Sequence, residues 1–456
     1  MFNYFKTAWR NLVRNKTFAS INICGLSLGV AISLLIFFWV NDERSVDAFH
    51  ANNPYLYNVY EKAFSNNKVD ADYDTPTLLA GEIKKEIPEV QYAASSDWDD
   101  EYTFRTDNKT LKEAGAFANE DFFKMFSFPL LQGDTASALN NPYAIAISKK
   151  MATDFFGSPQ TAIGKTLQRD NESDWKAFTV SAVFDDVPVS SSLKFDFVIN
   201  WEAFYDERPN MMTWGNFGEL TTVMLRPDAN IEQVETKLKN FLDRFSRATT
   251  DNKIELHIQP FHDRYLHSNF ENGEISGGRI EYVRLFGIIA AFILLIACIN
   301  FMNLATARSV KRAKEVGVRK VAGASRNSLI KQFFIETMLL VLFAVFIALF
   351  LALTLLPLFN STTGKQIVMP VTHFYFWLQL IVITVVTACI AGSYPALFLS
   401  SFKPVKVLKG TMKFDISAIL FRKGLVIFQF SLSIILVIAT IIISKQINYI
   451  QTKNIG

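Results

Sequence analysis

Few residues in this 456-residue chain stand at spacings that could make or break a covalent bond. The run from Gly157 through Gly164, Lys165 and Thr166 has the outline of a phosphate-binding loop. Such a loop needs a glycine five residues before its second one, and Pro159 occupies that place, so the run cannot wrap a triphosphate. His257, His262 and His267 recur every five residues, with Asp263 among them. That step does not bring ligands to one face of a strand or loop, and no H-E-x-x-H pair accompanies them. Ordinary loop histidines are the simpler reading. No Ser/His/Asp or Cys/His arrangement sits on a credible scaffold. The expectation is therefore a chain with no catalytic residues, no metal and no cofactor of its own.

What remains is the chemistry of binding, and it concentrates in the segment from Ala305 that reads ATARSVKRAKEVGVRKVAGASRNSLIKQ. Lys311 with Glu315, and Glu315 with Arg319, are i,i+4 pairs that support a helix. Val310, Ala313, Gly317 and Val321 trace a stripe of small residues along it. Gly323 can end this helix and Ser325 can cap the next. Two readings stand: a solvated basic loop that sets membrane orientation, or a helix from about Ser309 to Lys320 that docks on a partner. In the second reading Gly317 permits close approach, and Arg319 offers a bidentate contact to a partner carboxylate.

The elements that must position this segment are membrane helices. Half of the chain is apolar and it holds 42 Phe, a load that points first to lipid-facing helices. Five runs approach the roughly 20 apolar residues a span requires. They give spans at 18–41, 285–306, 332–357, 374–399 and 424–445. The first follows Lys6, Arg10, Arg14 and Lys16, is too long for a signal peptide and lacks a cleavage site. The three segments assigned to one side, residues 1–17, 307–331 and 401–423, hold 18 basic and 2 acidic residues. The stretch from Asn41 to Arg284 holds 25 basic and 40 acidic ones. Basic short loops mark the cytoplasm, so the N-terminus is expected inside and residues 42–283 outside. The tail 446–456 then falls outside as well. Cys24, Cys298 and Cys389 all lie in apolar runs, so the outer domain has no disulfide framework.

The outer domain reads as α+β, with two subdomains expected. Strands are predicted at Thr221–Leu225, Ala177–Phe184, Phe195–Ile199 and Ile254–Ile258. Asn230 and Gln233 suit a capping box ahead of a helix whose apolar face includes Ile231, Val234, Leu238, Phe241, Leu242 and Phe245. Thr75 and Pro76 are predicted to open another helix, which Pro88 ends. At the N-terminus Phe2, Phe5, Trp9 and Leu12 share one helical face and Lys6, Arg10 and Arg14 the other. That pattern suits a helix in the inner interface, anchored by Phe5 and Trp9.

The run LIACINFMNLATARSVKRAKEVGVRKVAGASRNSLIKQFFIE, Leu295 to Glu336, strongly resembles the FtsX-like permease domain of ABC transporters of the MacB/FtsX/LolCE type. Gly392-Ser-Tyr-Pro-Ala-Leu and the run Ser400 to Gly410 resemble the end of that domain. The opening TAWRNLVRNKTFASINICGLSLGVA and the pair Phe49-His50 resemble the start of the same permeases. The resemblance implies a polytopic α-helical membrane protein of the bacterial inner membrane. It has a MacB-like periplasmic core domain at 42–283 between its first two spans, and an FtsX-like permease domain at 284–400. It further implies that ATP and Mg act on a separate cytoplasmic ATPase dimer, which docks at a coupling helix. Lys311, Glu315, Gly317, Arg319 and Lys320 are the coupling residues on this reading. Work is then done on a lipoprotein, peptide or drug in the periplasm.

Family units have four helices, and this chain has a fifth. Arg14-Asn-Lys16 and Phe421-Arg-Lys423 precede similar apolar runs, so the fifth resembles the start of a second copy, as in the front half of a fused permease. Expected partners are that second copy, fused or separate, the lipid bilayer, and a periplasmic or outer-membrane protein. No nucleic acid is expected. Two rival functions are a membrane receptor that signals without an ATPase and an FtsX-like regulator of a cell-wall hydrolase.

Overall fold

Among the described residues five helices contain segments long and apolar enough to cross a membrane: Lys16–Arg44, Arg279–Ala307, Arg326–Thr363, Phe374–Ser400 and Ile419–Gln446. They are numbered first to fifth here. The computed structural model describes residues 2–65, 68–171, 174–245, 252–307, 309–402 and 416–452. Most of the basic linker, residues 403–415, lies outside the described residues, as do 453–456 of the tail. The chain divides into a membrane unit, the residues up to Asn41 and from Val283 onward, and an outer unit, Asp42–Tyr282.

Helices run further than hydropathy alone indicates. The third begins at Arg326 because Ser325 accepts a hydrogen bond from the Ser328 N–H, and ends at Thr363 because Gly364 takes a left-handed φ of 66°. Arg326 to Lys331 are therefore helical, as are Phe359 to Thr363. The helix that carries the fifth span runs Ile416–Thr452, so Arg422 and Lys423 sit within a helix rather than in a linker.

Small residues stand at the closest contacts between membrane helices. On the first helix Gly25, Gly29 and Ser33 fall one turn apart and face the second. A Cβ at Gly29 would stand 2.6 Å from that of Ala297, and one at Gly25 would stand 3.3 Å from Asn300. The Ser33 hydroxyl donates to the Ala290 carbonyl at 3.0 Å. Ala344, Ala348 and Ala352 of the third helix, with Ala388 and Ala391 of the fourth, are fully buried in the same cluster. In lipid, close approach of this kind replaces the hydrophobic drive that water supplies.

Among the described residues the outer unit has a separate two-stranded pair at Phe270–Glu271 and Glu274–Ile275 and is otherwise built on one twelve-stranded sheet. Its strands are β1 (Leu56–Ser65), β2 (Lys68–Asp72), β3 (Asp74–Pro76), β4 (Val90–Arg105), β5 (Thr110–Ala118), β6 (Leu130–Gln132), β7 (Ala144–Ser148), β8 (Thr166–Asn171), β9 (Asp174–Phe184), β10 (Phe197–Asn200), β11 (Phe217–Leu225) and β12 (Asn252–Pro260). The order is β12-β1-β11-β4-β5-β10-β7-β9-β6, with β2 on β1, β3 on β11 and β8 joining β4 to β9. Pairs β5–β10 and β7–β9 are parallel. One sheet thus runs through the region for which two subdomains are expected, with separate apolar clusters along it.

Nearly half of the Phe residues lie in this unit, which corrects the reading of Phe as chiefly lipid-facing. Phe122, Phe123, Phe126, Phe128, Phe184, Phe195 and Phe261 form one cluster. His50 is packed against Phe126, Phe128 and Phe261. Burial drives its pKa down to about 4, so it is a neutral core histidine whose Nδ1 accepts from the Ser127 N–H at 3.1 Å. Arg169 is fully buried, paired with Glu207 and stacked on Tyr102 at 4.4 Å.

Two local expectations change. Thr75 and Pro76 belong to β3, not to a helix: the Thr75 hydroxyl donates to the Glu219 carbonyl at 2.8 Å, and the following helix runs Leu79–Glu86. Asn230 does cap its helix, accepting from the Gln233 N–H; Ile231 on its first turn is exposed and Val234 and Leu238 are buried, but the helix ends at Lys239, so the buried Phe241 and Leu242 belong to the short 3-10 helix that follows. The phosphate-loop outline also resolves into caps. Gly157, with φ 83°, closes a helix, and Ser158 opens a short one at Pro159.

Candidate functional site

Two helices flank the third membrane helix at its N-terminal end. One is the N-terminal helix, Phe2–Arg14; the other, Ser309–Val321, is the helix that the resemblance implies couples to an ATPase, and is called the coupling helix for that expectation. Glu336, a buried carboxylate in the third helix, binds both. It accepts from Asn11 Nδ2 of the N-terminal helix at 2.9 Å, and from Arg312 Nη1 of the coupling helix at 2.6 Å. Gln332 Nε2, one turn earlier in its own helix, adds a third donor at 3.2 Å. A carboxylate with only 5% of its surface exposed is stable in such a place because its oxygens are this fully paired. Charge-assisted bonds to a planar guanidinium also fix direction.

The far end of the coupling helix is held in a different way. Lys320 donates to the Ser400 and Phe402 carbonyls at 2.7 and 2.9 Å, which satisfies the open end of the fourth helix. Burial, reinforced by the nearby Arg326 charge, lowers the Lys320 pKa. Arg319 donates to the Gln332 amide oxygen and to Glu315 Oε1 at 2.7 Å. Between these ends Ala313, Val316 and Gly317 are buried. Val316 packs with Leu329 and Phe333 of the third helix and Ala396 and Leu399 of the fourth.

The five residues singled out from the sequence therefore divide. Gly317 is on the inner face of the coupling helix. Arg319 and Lys320 reach back into the chain, with Arg319 also gripping Glu315. Glu315 is on the outer side, and the Lys311 side chain lies outside those described. The outer face carries Lys314, Glu315, Val318 and Val321, all exposed. Glu336, Arg312 and Asn11 are not among the residues assigned to the site from the sequence. The available signal was an ionisable residue in an otherwise apolar helix.

Trp9, one of the two expected anchors, is 48% exposed, and its ring lies 5.9 Å from that of Phe343 on the third helix. The side chain of Phe5 lies outside those described. In the outer unit the three spaced histidines stay apart. His257 stacks on Tyr60 at 5.5 Å, His262 is exposed, and the His267 carbonyl accepts from Gln259.

Comparison with known proteins agrees with this architecture. A family of MacB-like periplasmic core domains matches residues 19–241, and one described as FtsX-like permease C-terminal matches 287–405. The chain belongs to the MacB/FtsX-like family of ABC transporter permeases. The pyoverdine export ATP-binding/permease protein PvdT of Pseudomonas syringae pv. syringae is 22% identical over 75% of this chain and 50% of its own length. The macrolide export ATP-binding/permease protein MacB of Rhodopirellula baltica is 27% identical over 30% of this chain and 19% of its own. The chain thus spans half or less of these relatives. A crystallised permease-protein domain from Porphyromonas gingivalis aligns with 53% of this chain and 98% of its own at 22% identity, with a TM-score of 0.39. The protein is a multi-pass membrane protein with a periplasmic domain.

Proposed function

We propose that this chain is the membrane subunit through which a separate cytoplasmic ATPase dimer does mechanical work on a lipoprotein, peptide or drug in the periplasm. The observation that carries the proposal is the two-faced coupling helix. Its inner face is tied to the N-terminal, third and fourth helices, and its outer face offers two exposed valines beside Lys314 and Glu315. An exposed apolar pair rimmed by charge suits a protein partner. On this reading Val318 and Val321 enter the ATPase surface, and Glu315 with Lys314 sets the register. Arg312, Arg319 and Lys320 position the helix, and Gly317 lets it sit close. The basic segments lie in the cytoplasm, the N-terminus is inside, and the membrane is the inner one. A second permease copy completes the unit.

Val318→Asp combined with Val321→Asp is expected to abolish co-purification of the ATPase and stimulation of its hydrolysis, with membrane abundance unchanged. Arg319→Ala is expected to preserve binding in part while lowering stimulation, because the helix survives but its seat loosens. Normal binding and stimulation by the double variant would return the basic segment to a mere orientation signal. Orientation has its own test. Cysteine at Asn171 should react with an impermeant thiol reagent in intact cells, and cysteine at Ser328 should not; the reverse pattern would invert the topology.

A further inference from the structure

A second place in the molecule carries chemistry that coupling does not use. In the periplasmic domain Ser192, Lys194, Arg264, Tyr265, Ser268 and Arg279 line a cavity of about 350 Å³. We propose that this cavity binds a phosphate group. Three cationic side chains and three hydroxyls converge on it, and no carboxylate is among its lining residues. Like charges gathered around one space repel one another, and the arrangement is relieved when an anion enters.

The two guanidiniums are held by aromatic rings, and Lys194 and Arg264 both act on the Asp47 carboxylate, which accepts from the Ser192 N–H. Arg264 stacks its guanidinium over Tyr73 at 4.4 Å. It feels the charges of Asp47, Asp72 and Asp74, yet among the described residues no carboxylate comes within ion-pair distance of it. Stacking occupies a face of the guanidinium and leaves the N–H edge for a ligand. Arg279 donates to the Tyr265 hydroxyl at 3.2 Å and lies over the same ring. Lys194 is steadied by the Pro188 and Val189 carbonyls at 3.1 and 2.7 Å. Two forks and an ammonium match the three outer oxygens of a phosphate better than the two of a carboxylate. The volume exceeds what a bare phosphate fills and stands at the small end of ligand pockets. Leu193, Leu220 and Phe261 supply apolar wall. The ligand is therefore a phosphate with a small organic part, either a phospholipid headgroup or a free phosphate compound.

The test uses the full chain in an uncharged, phosphate-free detergent. Calorimetric titration with inorganic phosphate and with dihexanoyl phosphatidylglycerol, below its micelle concentration, should give saturable binding by at least one. Tighter binding of the short lipid assigns the site to a headgroup; tighter binding of inorganic phosphate assigns it to a free compound. Arg264→Gln and Lys194→Gln should each weaken the binding about tenfold or more, as loss of one member of a charge pair does. Lys194 is exposed, so its variant reads affinity without a folding defect. No saturable binding of either probe, or unchanged affinity in both variants, would overturn the proposal.

Discussion

At the closest approaches between membrane helices stand Gly25, Gly29, Ser33, Ala297, Ala344, Ala348, Ala388 and Ala391, while larger side chains such as Phe38 against Phe376 and Trp39 against Phe286 fill the wider gaps. Where the periplasmic sheet meets its covering elements, they are Phe122, Phe123, Phe126, Phe128, Phe184 and Phe195. One chain thus sets small side chains at the closest helix contacts of one unit and gathers rings into a core of the other. Water accounts for the difference. In the periplasm every Å² of apolar surface removed from water contributes, so large rings are favoured. In lipid that drive between helices is absent, and stability comes from close backbone approach. Size changes should therefore have opposite consequences in the two units.

The largest effect is expected from truncation in the periplasmic unit. Phe122→Ala should cost that unit about 3–5 kcal/mol, read as a lower unfolding midpoint in urea. The equivalent truncation at Phe346, a lipid-facing ring 74% exposed on the third helix, should shift nothing measurable. Enlargement should reverse the ranking. Gly29→Leu should cost about 1–3 kcal/mol or more by overpacking and reduce the yield of monodisperse protein. Gly287→Leu, where nothing stands within 4 Å, should be silent. Equal losses at Gly29 and Gly287 would break the comparison.

Acid supplies a finer probe, since the buried His50 and the half-buried Glu61 of the periplasmic unit have pKa values shifted in opposite senses. His50 has its pKa pushed down to about 4 by burial. Its contribution is fully present above the unfolded value near 6.5 and is lost as pH falls toward 4, costing roughly 2 kcal/mol at pH 5. Glu61 has its pKa raised to about 7 by burial, with Asp72 and Asp74 adding to it. Its contribution is fully present below the unfolded value near 4.5 and is lost as pH rises through 7. The two offset each other between pH 5 and 7. Glu61→Gln should therefore make thermal stability fall more steeply on acidification than in the unaltered protein; an unchanged slope would remove Glu61 from the account.

What the sequence disclosed follows the range of the interactions involved. Spans, the Ser325 and Asn230 caps and the Gly323 stop were legible because each depends on residues within a turn or a continuous run. Thr75-Pro76 misled because the local preference for a helix start lost to pairing with β11, more than 140 residues away. Glu336 is absent from the site assigned from the sequence for a related reason. Its donors, Asn11 and Arg312, lie 325 and 24 residues from it, and no local pattern announces that they converge. The stripe Gly25, Gly29, Ser33 was readable by its four-residue step but drew no attention beside the stronger hydropathy signal. On the coupling helix, a single sequence pattern of small and charged residues carried both faces. Only packing told inward from outward.

The coupling helix, seen as a beam, has its supports unevenly spaced. Arg312 ties one end, through Glu336, to the third and N-terminal helices. Arg319 and Lys320 crowd the other end, onto the third and fourth. Val318 lies beside the crowded end. By the statics of a loaded span, a thrust there falls chiefly on the nearer bearings. With the proposed docking at Val318, the fourth helix, through its terminal carbonyls, would take much of the load directly, while the N-terminal helix, at the remote bearing, would feel mostly the tilt.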